Sequence, residues 1–189
     1  MTGSRLEPDV LVMKRTLIIV SAIVAAGLVL ATTAVAGAAP TSPSTRLVTL
    51  DKTLLIQINA LRRTHALSPL KLSKGLTLAA DQHTTEMGQA GYFAHDSIDH
   101  TPFSKRIEQS YPANGHRSWS VGENLLFVSP DVDASQAIKL WMNSPGHRAN
   151  LLDPSWREIG IATRHSTTAP GIYGNEAVTI LTTDFGARH

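Results

Sequence analysis

The chain of 189 residues contains no cysteine. Disulfides, thiolate metal sites and thiol nucleophiles are therefore excluded. The sequence also lacks the HExxH motif of zincins and the GxSxG motif of α/β-hydrolases. Because Lys and Arg form no cluster, we predict no nucleic-acid partner.

A long hydrophobic run lies near the N-terminus. Lys14 and Arg15 precede the uncharged residues 16–35, and the run ends in small residues that fit the A-x-A cleavage rule. This order is typical of a secretory signal, so we predict a signal peptide over residues 1–39, with residues 1–12 as a possible N-terminal extension, and a secreted protein. The run also approaches the ~20 residues of a spanning helix, so an uncleaved membrane anchor is the alternative.

The remaining sequence is predicted to form one domain. Residues 40–50 are predicted as a linker and residues 51–189 as the globular domain. Three of the 17 bases and two of the 15 acids precede residue 40, which leaves 14 bases and 13 acids. The basic isoelectric point therefore does not indicate a nucleic-acid partner. All eight histidines lie in this part, and histidine is the commonest side-chain metal ligand.

Helical patterns come first in the domain and strand patterns come last. We predict helices that begin after Asp51, Ser73 and Asp133, each with apolar residues at helical spacing. Residues 92–122 are predicted as a long structured loop. Alternating residues predict strands over 158–163 and 177–185. Since no βαβ alternation occurs, the fold class is predicted as α+β, with helices packed on a sheet.

Three segments combine reactive groups with turn residues. They are centred on His95 in Phe-Ala-His-Asp-Ser, on Glu123 in Gly-Glu-Asn-Leu, and on His147 in Asn-Ser-Pro-Gly-His-Arg-Ala-Asn. Two imidazoles and a carboxylate can share one divalent ion. The same groups can also act without a metal, as a base and its electrostatic partner.

These segments, in this order, resemble the signature segments of bacterial domains of the CAP superfamily (SCP-like extracellular domains). The resemblance covers roughly residues 54–185 and includes the closing Thr183-Asp184-Phe185-Gly186. It implies a three-layer α–β–α sandwich with a large central cleft. It also implies that His95 and His147 face each other there and can hold a divalent cation, often zinc, with Glu123 as an acidic neighbour.

One position departs from the pattern of the eukaryotic members of the superfamily. Those members usually carry a second glutamate just after the tryptophan of the third helix, where this chain has Ser144. The complete four-residue site is therefore absent, which puts a shared catalytic mechanism in doubt.

Three functions follow as hypotheses. The first is a non-catalytic extracellular domain whose cleft, lined by His95, Glu123, Ser144 and His147, binds a lipid, a peptide, a cell-wall fragment or another small ligand. The second is a metal-dependent hydrolase, with His95 and His147 as ligands and Glu123 as the candidate general base. The third is a structural surface protein held at the membrane by an uncleaved leader.

Overall fold

The computed structural model describes residues 12–14 and 43–189. Six helical segments and five strands make up this part of the chain. The strands are β1 (Val12–Lys14), β2 (Lys71–Leu72), β3 (Trp119–Ser129), β4 (Glu158–Ala169) and β5 (Glu176–Arg188). The helices are α1 (Pro43–Thr64), α2 (Lys74–Ala90), α3 (Phe103–Ser110), α4 (Ala134–Asn143) and α5 (Pro145–Leu152), with a short 3₁₀ helix at Gly171–Tyr173.

The strands form one sheet in the order β1-β3-β5-β4-β2. The long strands β3, β5 and β4 pair antiparallel, whereas β1 and β2 add short parallel pairs at the two edges. In the register of β3 and β5, Glu123 lies opposite Asp184. This pair becomes important for the site described below.

Helices cover both faces of the sheet. One core joins α1, α4 and α5 to one face through residues that include Leu54, Trp141 and Leu151. The other face carries α2 and α3, packed through two further cores that include Met87 and Ile107. The predicted α+β class and three-layer α–β–α sandwich are confirmed.

Several predicted element boundaries agree with the structure. Asp133 caps α4, because its side chain accepts a hydrogen bond from the backbone N–H of Gln136 at 2.8 Å. Helix α2 begins after Ser73, as predicted, and Gly91 caps its C-terminal end. The predicted strands are both present and extend further, over β4 and β5.

Two predictions about the elements were wrong. The first helix begins at Pro43 rather than after Asp51, within the segment predicted as a linker. Residues 92–122 are not all loop, since they include α3 and the beginning of β3. The polar residues Glu123 and Asn124 therefore lie inside a buried strand instead of a turn.

The predicted signal peptide lies outside the described residues, apart from residues 12–14. Among the described helices, none is long and apolar enough to span a bilayer.

Candidate functional site

Strand β3 presents its polar residues to both faces of the sheet. Successive side chains of a strand point to opposite faces. Glu123 therefore shares the face of Leu125 and Phe127, where α2 and α3 pack. Asn124 shares the face of Leu126, where α5 packs, and donates a hydrogen bond to the carbonyl of His147 at 3.0 Å.

Glu123 is the centre of a buried ionic network. Its Oε1 lies 2.8 Å from Nδ1 of His95, and its Oε2 accepts a hydrogen bond from Nη2 of Arg106. Arg106 also donates from Nη1 to the carbonyl of His95 at 2.8 Å. The structure thus joins two of the predicted site residues, His95 and Glu123, and adds an arginine from α3.

Glu123 is ionised in this environment. Burial alone would raise its pKa, but the positive charge of Arg106 and the hydrogen bond from His95 outweigh burial and hold the pKa below its usual value. An ionised carboxylate only accepts hydrogen bonds, so Nδ1 of His95 carries the proton. The other ring nitrogen, Nε2 of His95, is buried with no hydrogen-bond partner among the described residues.

Asp184 lies beside this network. It pairs with Glu123 across β3 and β5, and it is completely buried. Burial, followed by the negative charge of Glu123, raises the pKa of Asp184 well above its usual value, although Arg106 opposes the shift. Glu123 and Asp184 are therefore two carboxyl groups beside one guanidinium.

Helix α2 holds the segment that carries His95. Buried His83 approaches the carbonyl of Ala94 with its Nε2 at 2.9 Å. Glu86 accepts hydrogen bonds from the hydroxyl of Tyr92 at 2.5 Å and from the N–H of Ile98 at 3.4 Å. Burial lowers the pKa of His83, so its ring is neutral.

The hairpin between β4 and β5 holds the same segment from the other side. Gly91 ends α2 with a φ of 73°, and its carbonyl accepts a hydrogen bond from the N–H of Ile172 at 3.0 Å. A side chain at Gly91 would collide with the backbone of Gly171. The hydroxyl of Tyr173 donates to the carbonyl of Tyr92 at 2.7 Å. The backbone before His95 is thus fixed at two points.

The third predicted segment surrounds the beginning of α5. Ser144 ends α4 and precedes α5, and its buried hydroxyl makes no hydrogen bond among the described residues. His147 is completely buried on α5. Asn150 donates to the carbonyl of Glu123 at 3.0 Å and to Oδ1 of Asn124 at 2.9 Å. The carbonyl of His147 accepts the hydrogen bond from the side chain of Asn124 described above, so the backbone of α5 is bonded to the residue next to Glu123.

His95 has the surroundings that are typical of one ligand of a divalent cation. A histidine ligand typically gives one ring N–H to a carboxylate and offers its other nitrogen to the metal. His95 has this arrangement, with Glu123 at Nδ1 and an unpartnered Nε2. Within the described part of the chain, no group of three or more His, Cys, Asp or Glu side chains is placed to hold a cation.

A cavity of about 360 Å³ lies away from this network. It is formed between the first half of α1, the residues before α4 and the strands β4 and β5. Its lining residues include Leu50, Val132 and His165, but not His95, Glu123, Ser144 or His147.

Sequence reasoning missed two members of the network. Arg106 stands in a segment predicted as loop, although Phe103, Arg106 and Ile107 have helical spacing. Asp184 was noted only as part of a closing strand. The available signal was its position between Thr183 and Phe185, because a carboxylate within a buried strand needs a partner.

Comparisons with known proteins agree with this architecture. The profile of the CAP family, described as the cysteine-rich secretory protein family, matches residues 55–179.

Two curated relatives come from Bacillus subtilis (strain 168). The uncharacterized protein YkwD is 30% identical over 124 residues, which are 64% of this chain and 45% of YkwD. The uncharacterized membrane protein YlbC is 30% identical over 114 residues, which are 60% of this chain and 31% of YlbC. The chain thus spans less than half the length of these relatives.

Solved structures show the same fold. An outer surface protein from Borrelia burgdorferi superposes with a TM-score of 0.61 and 21% identity, over 73% of this chain and 92% of that protein. An extracellular protein with an SCP domain from Bacillus anthracis str. Ames gives a TM-score of 0.60 and 24% identity, over 79% of this chain and 45% of that protein. The family profile covers most of the domain, and the fold agrees with it. The chain therefore belongs to the CAP family.

Proposed function

We propose that this chain acts outside the cell as a non-catalytic binding domain, with its ligand held at the surface around His95. The ligand class is a lipid, a peptide, a cell-wall fragment or another small molecule. The observation that carries the proposal is the complete pairing of Glu123, since both carboxylate oxygens are occupied by side chains of the protein.

This pairing disfavours the hydrolase hypothesis. A general base needs a pKa near the working pH and contact with the proton that it removes. The pKa of Glu123 is held below its usual value, and only 2% of the residue is exposed. These properties suit a carboxylate that orients His95 and do not suit one that activates water.

A divalent cation, with zinc as the first candidate, has a place in this proposal. His95 would bind it through Nε2, and the second ligand that the resemblance implies is His147, on α5 at the opposite face of the sheet. Glu123 would stay in the outer shell, where a carboxylate fixes the tautomer of the ligating imidazole. The cation would then organise the binding surface without performing chemistry.

Zinc content and hydrolysis, measured on the same proteins, test both parts of the proposal. The wild type, His95→Ala and His147→Ala are purified with zinc, together with His116→Ala as an exposed histidine control. We expect zinc in the wild type and the control, less zinc in the other two variants, and no hydrolysis of peptides or esters by any of them. Hydrolysis that follows zinc content would support the enzyme, and equal zinc in all four proteins would refute the cation site.

Location outside the cell rests on the predicted signal peptide. It also draws support from similar proteins described as extracellular or outer surface proteins. Mass analysis of the exported protein tests it, and we expect a chain that begins after the small-residue end of the leader. Retention of residues 13–36 would contradict free secretion and would favour the membrane-anchored alternative.

A further inference from the structure

The carboxyl groups of Glu123 and Asp184 form a buried pair. They face each other across β3 and β5, on the side of the sheet where α2 and α3 pack. Glu123 is 2% exposed and Asp184 is 0% exposed. Two ionised carboxylates on directly paired residues at this depth would repel each other strongly, as in sites where two acids share one proton.

Two side chains are hydrogen-bonded to the pair, and both of them serve Glu123. His95 donates to Oε1 and Arg106 donates to Oε2. Neither oxygen of Asp184 accepts a hydrogen bond from any donor among the described residues. A buried carboxylate without a donor is among the most unfavourable groups in a protein interior, whereas a protonated carboxyl group can itself donate.

The charges near the pair also favour a protonated carboxyl group at Asp184. Arg106 is the cation in direct contact with the pair, and it contacts Glu123. The other titratable groups that act on Glu123 are His95, on the loop after α2, and His83, on α2, whose ring is neutral. Glu86 lies further along α2 and is bound to Tyr92. Arg106 is thus already paired with Glu123, and the buried carboxyl group of Asp184 has no cation bonded to it among the described residues.

We infer that Asp184 carries a proton at neutral pH and donates it to the carboxylate of Glu123. Glu123 then has three donors, from His95, Arg106 and Asp184, and is fixed as the anion that holds Nδ1–H of His95. Asp184 is thus a positioning residue that acts through Glu123 on the orientation and tautomer of His95. The significance of this role rests on the proposed binding function, whereas the protonation state does not.

Infrared spectroscopy tests the protonation state directly. At pH 7 we expect the difference between the wild type and Asp184→Asn to contain the carbonyl stretch of one protonated carboxyl group. The control Asp99→Asn changes an exposed aspartate, and we expect no such band in its difference spectrum. Absence of the band in the wild type, or its persistence in Asp184→Asn, would overturn the inference. If Asp184→Asn does not fold, ¹³C-labelled aspartate in the wild type replaces the variant, because the band must then shift with the label.

Nitrogen NMR of the His95 ring tests the positioning role. The amide of Asp184→Asn can still donate to Glu123, so we expect it to keep the Nδ1–H tautomer and to bind zinc within about threefold of the wild type. Asp184→Leu has no donor, and we expect a mixed tautomer and roughly 10-fold weaker zinc binding, as for other outer-shell partners. An unchanged tautomer in Asp184→Leu would refute the positioning role. If the wild type binds no zinc, the cation proposal fails, and the infrared and tautomer results still decide the inference.

Discussion

Removal of Arg106 should destabilise the protein strongly, because it leaves Glu123 as a buried charge without its cation. The Arg106 side chain is 7% exposed and that of Glu123 is 0% exposed. Breaking a buried ion pair by removing one partner typically costs 3–5 kcal/mol, so we expect Arg106→Met to lose about 4 kcal/mol in the free energy of unfolding. That is a large part of the ~5–15 kcal/mol available to a domain.

Urea unfolding, followed by circular dichroism at pH 7 and pH 4, measures this loss. Without Arg106 the pKa of Glu123 rises, so protonation of Glu123 in the folded variant relieves the buried charge in acid. We therefore expect the difference in the free energy of unfolding between the wild type and Arg106→Met to be smaller at pH 4 than at pH 7. The double variant Arg106→Met/Glu123→Gln should lose less unfolding free energy than the summed losses of the two single variants, because the two residues interact directly.

An exposed arginine provides the matched control. Arg164 forms an ion pair with Asp81, and the two side chains are 49% and 44% exposed. Since exposed pairs contribute little, we expect Arg164→Met to lose less than about 1 kcal/mol. The reasoning about the buried network fails if Arg106→Met loses no more than this control, or if its loss is the same at both pH values.

Three further predictions concern other parts of the fold. Gly160→Ala should unfold at lower urea concentration, by roughly 2 kcal/mol or more, because a Cβ would overlap the backbone of α2 at Leu76. Asp133→Ala should lose about 1 kcal/mol, since the cap on Gln136 disappears, and thermal unfolding measures this loss. Burial raises the pKa of Asp51 to about 6 from 3.8. The wild type therefore loses stability as the pH rises from about 4 to 6. Over this range Asp51→Asn should gain at most about 3 kcal/mol of unfolding free energy relative to the wild type. Urea midpoints at pH 4 and pH 7 measure this gain. A constant difference between the two proteins across this range would contradict the assignment.

Local chemistry decided which elements could be predicted. Asp133 has its partner three residues away, so the cap is visible in the sequence. Helix α3 has only eight residues and buries a charged one, Arg106, so its pattern resembles a polar loop. Strand β3 has the polar residues Glu123 and Asn124 where the sequence of a buried strand is expected to be apolar.

The partners of Glu123 show why the full network was not predictable. His95, Arg106 and Asp184 are distant from Glu123 along the chain and reach it from a loop, a helix and a neighbouring strand. Residue type and local spacing indicated His95 and Glu123, because their motifs resemble those of a family. Arg106 and Asp184 follow only from register and packing, which a single sequence does not contain.

The close approach of Gly91 to Gly171 limits how this domain can vary. The tip of the β4–β5 hairpin touches the backbone just ahead of His95, with no side chain between them. A longer hairpin, or a larger residue at either glycine, would displace the segment that presents the imidazole. Length changes near the site are therefore better tolerated elsewhere, for example around Gly115, where added atoms meet open space. Attempts to graft new specificity onto this scaffold should leave the hairpin tip unaltered.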